Sequence, residues 1–203
     1  MRWVWTCRKV LNPSKDMRYA VAIDVGIKNL GLCVFDFTTA KFVYWDNVSL
    51  VPNGRYIPCN NVQYVRNFVK RFDRYFKDAS HVIVERQMRC NMRIVEAVIQ
   101  ALFFDTCVVI NARCVKAHYN LGTKNYRMNK QRAVEWAAKF VEVNRESAFD
   151  PHVADVFHVQ KKQDDLADAL LLVCYFLDTY SNMVDDEPFV FHILNDAPVL
   201  ADE

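Results

Sequence analysis

The stretch Tyr19-Ala-Val-Ala-Ile-Asp-Val-Gly-Ile-Lys-Asn-Leu-Gly31 is the strongest indication of the fold in the sequence. Residues 19–23 are apolar, with β-branched side chains at alternate positions, which is typical of a buried strand. Asp24 ends this run, and Gly26 and Gly31 frame a tight connection into a second strand. A carboxylate at the end of a buried strand is costly to desolvate without a positive partner. Asp24 is therefore either the cap of a turn or part of a functional site.

Two further stretches place acidic residues where a hydrophobic core would exclude them. His81-Val-Ile-Val-Glu85 is a short apolar strand that ends in a carboxylate. Residues 163–173 predict an apolar helix in which Asp165 and Asp168 lie three positions apart, and hence on one side. Three separated acidic sites, each on a rigid element, favour a single metal cluster.

The acidic residues of the last helix also have a simpler explanation, because carboxylates near a helix N-terminus interact favourably with the helix dipole. That explanation fits Asp164 and Asp165 well. It fits Asp168 less well, since this residue lies in the second turn between apolar neighbours. Asp164 is four positions before Asp168 and can join the same side of the helix. We favour the metal cluster.

Length and composition indicate one globular domain in a reducing compartment. The 203 residues suffice for a sizeable core, and 52% hydrophobic with 13% aromatic residues excludes overall disorder. No apolar run is long enough for a membrane span, and the charged N-terminus lacks the apolar segment of a signal peptide. Seven cysteines form no CxxC pair, and this odd number is typical of a reduced intracellular protein rather than a disulfide framework or a zinc site.

The net charge of +2 hides an asymmetry along the chain. Residues 181–203 contain six acidic side chains and no Lys or Arg, so the first 180 residues carry all 26 basic side chains against 18 acidic ones. If four of those acids form a metal cluster, the remaining surface is more basic still. This distribution favours a polyanionic partner such as nucleic acid.

The pattern of elements divides the chain into an N-terminal extension over 1–17, one domain over 18–180 and an acidic tail over 181–203. Within the domain, three strands form an antiparallel meander, and two further strands then alternate with helices. This order predicts an α/β fold with a mixed sheet flanked by helices. Residues 112–128 are expected to form a basic, polar loop. The predicted strands are 19–25, 31–37, 41–48, 81–85 and 107–111, and the predicted helices are 61–77, 91–105, 129–143 and 161–180.

Four converging carboxylates would repel one another and raise one another's pKa values, and hard divalent cations resolve this conflict. Mg²⁺ and Mn²⁺ prefer oxygen ligands and keep bound waters. Two such ions can activate a water and stabilise the leaving oxygen of a phosphoryl displacement. The chemistry implied is phosphodiester hydrolysis, and no Ser-His-Asp or Cys-His arrangement competes for a catalytic role.

A basic segment lies between Thr106 and Val134. It has six basic residues and no Asp or Glu, with Tyr119 and Tyr126 interleaved. Such a segment suits phosphate contacts with occasional stacking on a base, although it could also be a solvated loop. We expect it to contact DNA together with the two arginines that follow the fourth strand. The residues concerned are Arg86, Arg89, Arg113, Lys116, Lys124, Tyr126, Arg127, Lys130 and Arg132.

Four motifs resemble the RuvC-type Holliday junction resolvases of the RNase H-like superfamily, and most closely the branch found in poxviruses and related large DNA viruses. They lie within residues 19–180, so the resemblance covers the core and neither terminal segment. One motif alone would be unspecific, whereas the four in this order are specific. They are Ala22-Ile-Asp-Val-Gly-Ile-Lys-Asn29, Val82-Ile-Val-Glu-Arg-Gln87, Asn125-Tyr-Arg-Met-Asn-Lys-Gln-Arg-Ala-Val134 and Lys161-Lys-Gln-Asp-Asp-Leu-Ala-Asp-Ala169.

The resemblance implies an RNase H-like fold and a homodimer that makes paired, metal-dependent cuts across a four-way DNA junction. Two-fold symmetry of the protein would match a substrate that needs two symmetric nicks. Each site would hold two Mg²⁺ ions, with Mn²⁺ able to substitute, and Asp24 would bridge them. The implied metal ligands are Asp24, Glu85, Asp165 and Asp168.

The same resemblance implies a catalytic lysine and a cellular setting. Lys116 and Lys130 both compete for the role of that lysine. The setting would be intracellular, at the site of viral replication in the host cytoplasm or nucleus. The task would be the processing of genome concatemers or recombination.

Three other functions are weighed against this one. An RNase H-like nuclease acting on an RNA–DNA hybrid or on other branched DNA would use the same four carboxylates. A non-catalytic junction-binding module would have no need for Asp168 beside the core. An actin-like ATPase or sugar kinase would use Asp24 and Gly26 in a phosphate turn, but it needs a second such turn and a Gly-rich segment, and the chain has four glycines.

Overall fold

The computed structural model describes residues 18–51 and 54–180, so the predicted N-terminal extension and acidic tail lie outside the described residues. The strands are β1 (Tyr19–Asp24), β2 (Leu30–Asp36), β3 (Lys41–Val48), β4 (Ala79–Glu85) and β5 (Cys107–Ile110). The helices are α1 (Asn61–Arg71), α2 (Asp73–Phe76), α3 (Cys90–Leu102), α4 (Ala112–His118), α5 (Tyr126–Ala148), α6 (Asp155–Val159) and α7 (Gln163–Tyr180). Within the described part of the chain, no helix has both the length and the apolar character needed to cross a bilayer.

The five strands form one mixed sheet in the order β3-β2-β1-β4-β5. The first three strands pair antiparallel through short connections, whereas β4 lies parallel to β1 and β5 lies parallel to β4. Parallel pairing requires a crossover, and the helices between β3 and β5 supply it. The predicted α/β fold with three antiparallel strands followed by two parallel ones is confirmed.

Alternation along β1 divides the core between the two faces of the sheet, as the two-residue period of a strand requires. Ala20 and Ala22 point to the face covered by α5 and α7. Val21 and Ile23 point to the face covered by α1 and α3. All four residues are fully buried. The small side chains on the first face leave room for α7 to lie close to the sheet.

The prediction of a loop over 112–128 was wrong at both ends of the segment, while residues 119–125 do connect two helices. Residues 112–118 form α4, and α5 begins at Tyr126. Each helix starts at an asparagine cap: the side chain of Asn111 accepts a hydrogen bond from the backbone N–H of Arg113, and Asn125 caps Arg127 and Met128 in the same way. Hydrophobic periodicity missed α4 because Val115 is the one buried residue among its seven.

Candidate active site

Asp24 and Glu85 lie side by side at the carboxyl ends of β1 and β4. These strands are parallel, and their register pairs Ile23 with Val84, so the residue that follows each lies at the same edge of the sheet. Ile23 and Val84 are fully buried, whereas Asp24 and Glu85 are half-buried residues. In open α/β sheets the carboxyl ends of the strands are where ligands bind.

A glycine on the neighbouring strand lets the acidic helix approach Asp24. In the pairing of β1 with β2, Asp24 lies opposite Gly31. A side chain at Gly31 would place its Cβ 2.3 Å from the backbone oxygen of Asp165 and 3.0 Å from the Cβ of Ala169. The first of these contacts is far inside van der Waals distance, so α7 can pack here only because residue 31 lacks a side chain. The contact brings the first turns of α7, with Asp165 and Asp168, to the end of β1.

The four predicted carboxylates are close enough to change one another's pKa values. Burial raises the pKa of Asp24 well above its usual value, and the negative charges of Glu85, Asp168 and Asp165 raise it further. Burial and then Asp168 raise the pKa of Glu85 to about 7. Burial and then the adjacent Asp164 raise the pKa of Asp165 to about 6. The fold therefore places these carboxyl groups where burial and their mutual repulsion disfavour the ionised forms.

Two lysines reach the same group of acids from α4 and α5. Lys116 forms an ion pair with Asp168, which is one of the predicted ligands. Lys130 forms an ion pair with Asp164, and its ammonium lies 5.5 Å from the centre of the Tyr126 ring. Burial alone would lower the pKa of Lys130, but the hydrogen bond to Asp164 outweighs burial and the pKa is raised. Lys130 is thus firmly charged and bound to an acid next to the predicted ligands, whereas Lys116 contacts one of the predicted ligands itself.

The composition of the site fits hard divalent cations. Among residues 18–51 and 54–180, no three His, Cys, Asp or Glu side chains are already arranged to enclose an ion. The donors at this edge are nevertheless all carboxylate oxygens, and burial and mutual repulsion raise the pKa values of three of them. Mg²⁺ and Mn²⁺ prefer oxygen donors, and such a cation would relieve this repulsion.

The residues predicted to contact nucleic acid lie on three segments near the carboxylates. One segment is the connection from β4 to α3, which directly follows Glu85. The others are α4, which carries Lys116, and residues 124–132, which lead from the connection after α4 into α5 and carry Lys130. Tyr126 is 72% exposed, whereas Lys116, Lys130 and Arg132 are half-buried. The exposed members are Arg86, Arg89, Arg113, Lys124, Tyr126 and Arg127.

Sequence reasoning missed a buried acid that holds the chain just after Glu85. Glu96 on α3 is 8% exposed, and its carboxylate accepts a 2.7 Å hydrogen bond from the backbone N–H of Gln87. A second hydrogen bond, of 2.9 Å, comes from the side chain of Gln100. The sequence does carry a signal for this contact, because Glu96 interrupts an otherwise apolar stretch of the helix.

The chain matches one protein-family model and several solved structures. The family model described as poxvirus A22 protein matches residues 19–179. The crystal structure of the fowlpox virus Holliday junction resolvase matches at 20% identity with a TM-score of 0.55, over 78% of this chain and 96% of that one. The yeast mitochondrial Holliday junction resolvase matches at 15% identity with a TM-score of 0.60, over 79% of each chain. No protein with a curated description matches the chain.

A second fowlpox virus structure, of the resolvase with its substrate Holliday junction DNA, matches at 18% identity with a TM-score of 0.57. The match covers 82% of this chain and 99% of that one. Identities this low establish the fold alone. The shared fold is a mixed α/β sheet flanked by helices, which agrees with the RNase H-like fold that the motif resemblance implies.

Proposed function

The chain belongs to the poxvirus A22 protein family, and on this premise we propose that it is an endonuclease that resolves four-way DNA junctions. The observation that carries the proposal is the convergence of four carboxylates at one edge of the sheet, beside a lysine and an exposed basic surface. Fowlpox virus resolvase, which shares the fold, was solved with Holliday junction DNA. The chemistry is hydrolysis of a phosphodiester bond.

The metal ions of the reaction are proposed to be two Mg²⁺ ions per site, with Mn²⁺ as a substitute. When bound, they supply an activated water and stabilise charge on the leaving oxygen. The protein's own contribution is to hold the oxygen donors on rigid elements at the edge of the sheet. The proposed ligands are Asp24, Glu85, Asp165 and Asp168.

Lys116 is the lysine that we assign to the scissile phosphate. Its ammonium forms an ion pair with Asp168 itself, so it would lie beside a phosphate held at the proposed metal ligands. Lys130 is engaged by Asp164 and by the Tyr126 ring, and we assign it the task of holding the start of α5 against α7. A cation at the reacting phosphate stabilises the charge that develops there.

DNA would lie across the exposed basic side chains around the site, which suit contacts to phosphates. Two protomers related by two-fold symmetry would present two such sites to the two strands that must be cut. The proposed setting is an infected host cell at the site of viral DNA replication, where junctions arise during recombination and concatemer processing.

The test is cleavage of a synthetic four-way junction by the purified full-length protein, with Mg²⁺ or with EDTA. Linear duplex and an RNA–DNA hybrid are run alongside. We expect symmetric paired nicks in the junction only, and no cleavage in EDTA. Cleavage of the RNA–DNA hybrid instead of the junction would show that the hybrid is the substrate. Tight junction binding without metal-dependent cleavage of any substrate would make the protein a binding module.

Variants of the site belong in the same experiment. Asp168→Asn is expected to abolish cleavage while folding and junction binding persist, because it removes one charged ligand and keeps the shape of the side chain. Lys116→Met is expected to slow cleavage more than Lys130→Met does. Measurable cleavage by Asp168→Asn would exclude this residue as a ligand, and a greater loss in Lys130→Met would exchange the roles of the two lysines.

A further inference from the structure

A buried tryptophan of β3 contacts the helix that carries two of the proposed ligands. The indole N–H of Trp45 donates a 3.0 Å hydrogen bond to the main-chain oxygen of Leu166. Leu166 lies between Asp165 and Asp168 on α7. Trp45 is 1% exposed and Leu166 is fully buried, so water does not compete for this bond. A helical carbonyl oxygen has a second lone pair, so it can accept the indole N–H without giving up its helical hydrogen bond.

The direction of the indole N–H is fixed by the rings around it. The Trp45 ring stacks on Phe157 with a centroid separation of 5.2 Å and an interplanar angle of 11°. It also lies 5.9 Å from the ring of Phe149. A side chain packed in this way has one orientation, so the hydrogen bond acts as a fixed point between the sheet and α7.

Two neighbouring contacts engage the start of the same helix. Asn47 lies two residues after Trp45, on the same side of β3, and its side-chain amide donates a 2.7 Å hydrogen bond to the main-chain oxygen of Lys162. Gly31 pairs with Asn47 across the sheet and receives the backbone of Asp165 at close range. Strands β2 and β3 therefore contact three main-chain oxygens within five residues of the chain, those of 162, 165 and 166.

We propose that Trp45 is a positioning residue, whose hydrogen bond sets the rotation and depth of α7 so that Asp165 and Asp168 face Asp24. The inference rests on the proposed function, because it concerns the same metal-binding carboxylates. Any buried indole N–H needs an acceptor for stability alone. The acceptor here, however, is the oxygen between the two ligands, and a displacement of about 1 Å at such a site is enough to slow a reaction about 100-fold.

The test compares Trp45→Phe with Trp136→Phe in the full-length protein. Both substitutions keep a buried aromatic ring and remove an indole N–H. Trp136 is on α5, where it stacks on Phe140 at 5.2 Å, and in the described part of the chain its indole makes no hydrogen bond to α7. Trp136→Phe is therefore a matched control for the loss of packing.

The readouts are Mn²⁺ binding by calorimetry without DNA, kcat and KM for the junction, and the unfolding midpoint in EDTA. We expect Trp45→Phe to weaken Mn²⁺ binding about tenfold and to lower kcat by a similar factor, with KM unchanged, as for residues that orient metal ligands. Trp136→Phe should leave both within about twofold, even if it lowers the unfolding midpoint as much. Wild-type affinity for Mn²⁺ in Trp45→Phe, or equal losses in both variants, would overturn the inference.

Asn47→Ala keeps the inference testable if Trp45→Phe does not fold. It removes the neighbouring bond to the Lys162 oxygen and should weaken Mn²⁺ binding in the same direction by a smaller factor. Unchanged Mn²⁺ binding in that variant would then overturn the inference. If the wild type binds Mn²⁺ but cuts no junction, the proposed function fails, while a tenfold weakening in Trp45→Phe still supports the positioning role.

Discussion

The paired strands β1 and β2 carry an aspartate at each end of their ladder, and the two carboxylates have opposite electrostatic surroundings. Asp24 lies opposite Gly31 at the end of the ladder near the hairpin turn, and Asp36 lies opposite Tyr19 at the other end. Each carboxylate ends a buried strand and loses much of its contact with water. A difference between the pKa values of the two carboxylates therefore comes from the charged and hydrogen-bonding groups around each one.

The Asp36 end is electrostatically complete. The side chain of Asp36 is fully buried, and its oxygens accept a 2.9 Å hydrogen bond from Nε of Arg18 and a 2.8 Å bond from the backbone N–H of Thr38. Burial alone would raise the pKa of Asp36, but these partners outweigh burial and the pKa is lowered. A carboxylate with these partners stabilises the folded state without any further ligand.

The Asp24 end is electrostatically incomplete. In the described part of the chain, no side chain donates a hydrogen bond to Asp24, and the like charges of Glu85, Asp168 and Asp165 act on it more strongly than the opposite charge of Lys130. Burial and these charges raise its pKa well above the usual value. A carboxylate that the fold buries without enough positive charge is typical of a functional site. An acid at the end of a strand therefore indicates a functional site when the folded protein supplies it with too few positive or hydrogen-bonding partners.

The largest expected effect is on catalysis. Asp24→Asn should reduce junction cleavage by more than about 100-fold, which is the upper end for changes one step removed from a metal ion. Asp36→Asn should leave cleavage per folded molecule near the wild-type rate, because its contacts are at the opposite end of the ladder. Single-turnover rates with Mg²⁺ measure both. Similar losses in the two variants would erase the distinction.

The next effect is on stability and has the opposite pattern. Asp36→Asn should lower the unfolding midpoint in EDTA by several degrees, because it removes the charge that Arg18 and Thr38 stabilise. Half of the Arg18 side chain is exposed, so solvent moderates this loss. Asp24→Asn should leave the midpoint unchanged or raise it, since it relieves repulsion among the carboxylates. Thermal unfolding by circular dichroism makes the comparison, and a larger drop in Asp24→Asn would contradict it.

The sheet was predictable from the sequence because its signals are local. Residues 19–24 and 81–85 are short, mostly apolar runs that end in acids, and their burial needs no knowledge of distant residues. Helix α4 was not predictable in that way. It buries one residue, and the contacts that hold it are made by Lys116 with Asp168 and by Tyr119 with Asp178 of α7. Its asparagine cap was the one local signal available.

The acids of the site were predictable for a related reason, while their partners were not. Asp24, Glu85 and Asp168 stand out because each is a carboxylate among apolar neighbours, where burial is costly. The pairing of the lysines depends on contacts between residues far apart in the chain: 52 positions separate Lys116 from Asp168, and 34 separate Lys130 from Asp164. A local sequence pattern does not show which residues so far apart in the chain come into contact. The hydrogen bond from Trp45 to α7 spans 121 positions and was invisible for the same reason.

The third expected effect separates the two ends by pH, in EDTA. The pKa of Glu85 is raised from 4.5 to about 7, so between these values the folded state binds its proton more tightly than the unfolded state does. The free energy of unfolding should therefore fall as pH rises through this window, and stay constant above it. The pKa of Asp36 is lowered, so its stabilisation is complete above its usual value of 3.8 and is lost only as pH falls below that value. Of the two ends of the ladder, only the Asp24 end should contribute a slope between about pH 5 and pH 8.

Glu85→Gln tests this assignment, because it keeps the shape of the side chain and removes its titration. Urea unfolding in EDTA should give equal stabilities for wild type and variant near about pH 5, and a more stable variant near about pH 8. The gap is at most about 3 kcal/mol, at about 1.4 kcal/mol for each pH unit of the window. Because Mg²⁺ would be held by the ionised carboxylates, adding it at the higher pH should stabilise the wild type more than the variant. The same slope in both proteins would show that the carboxylate of Glu85 is not its source, and that the incomplete end of the ladder is balanced by another charge.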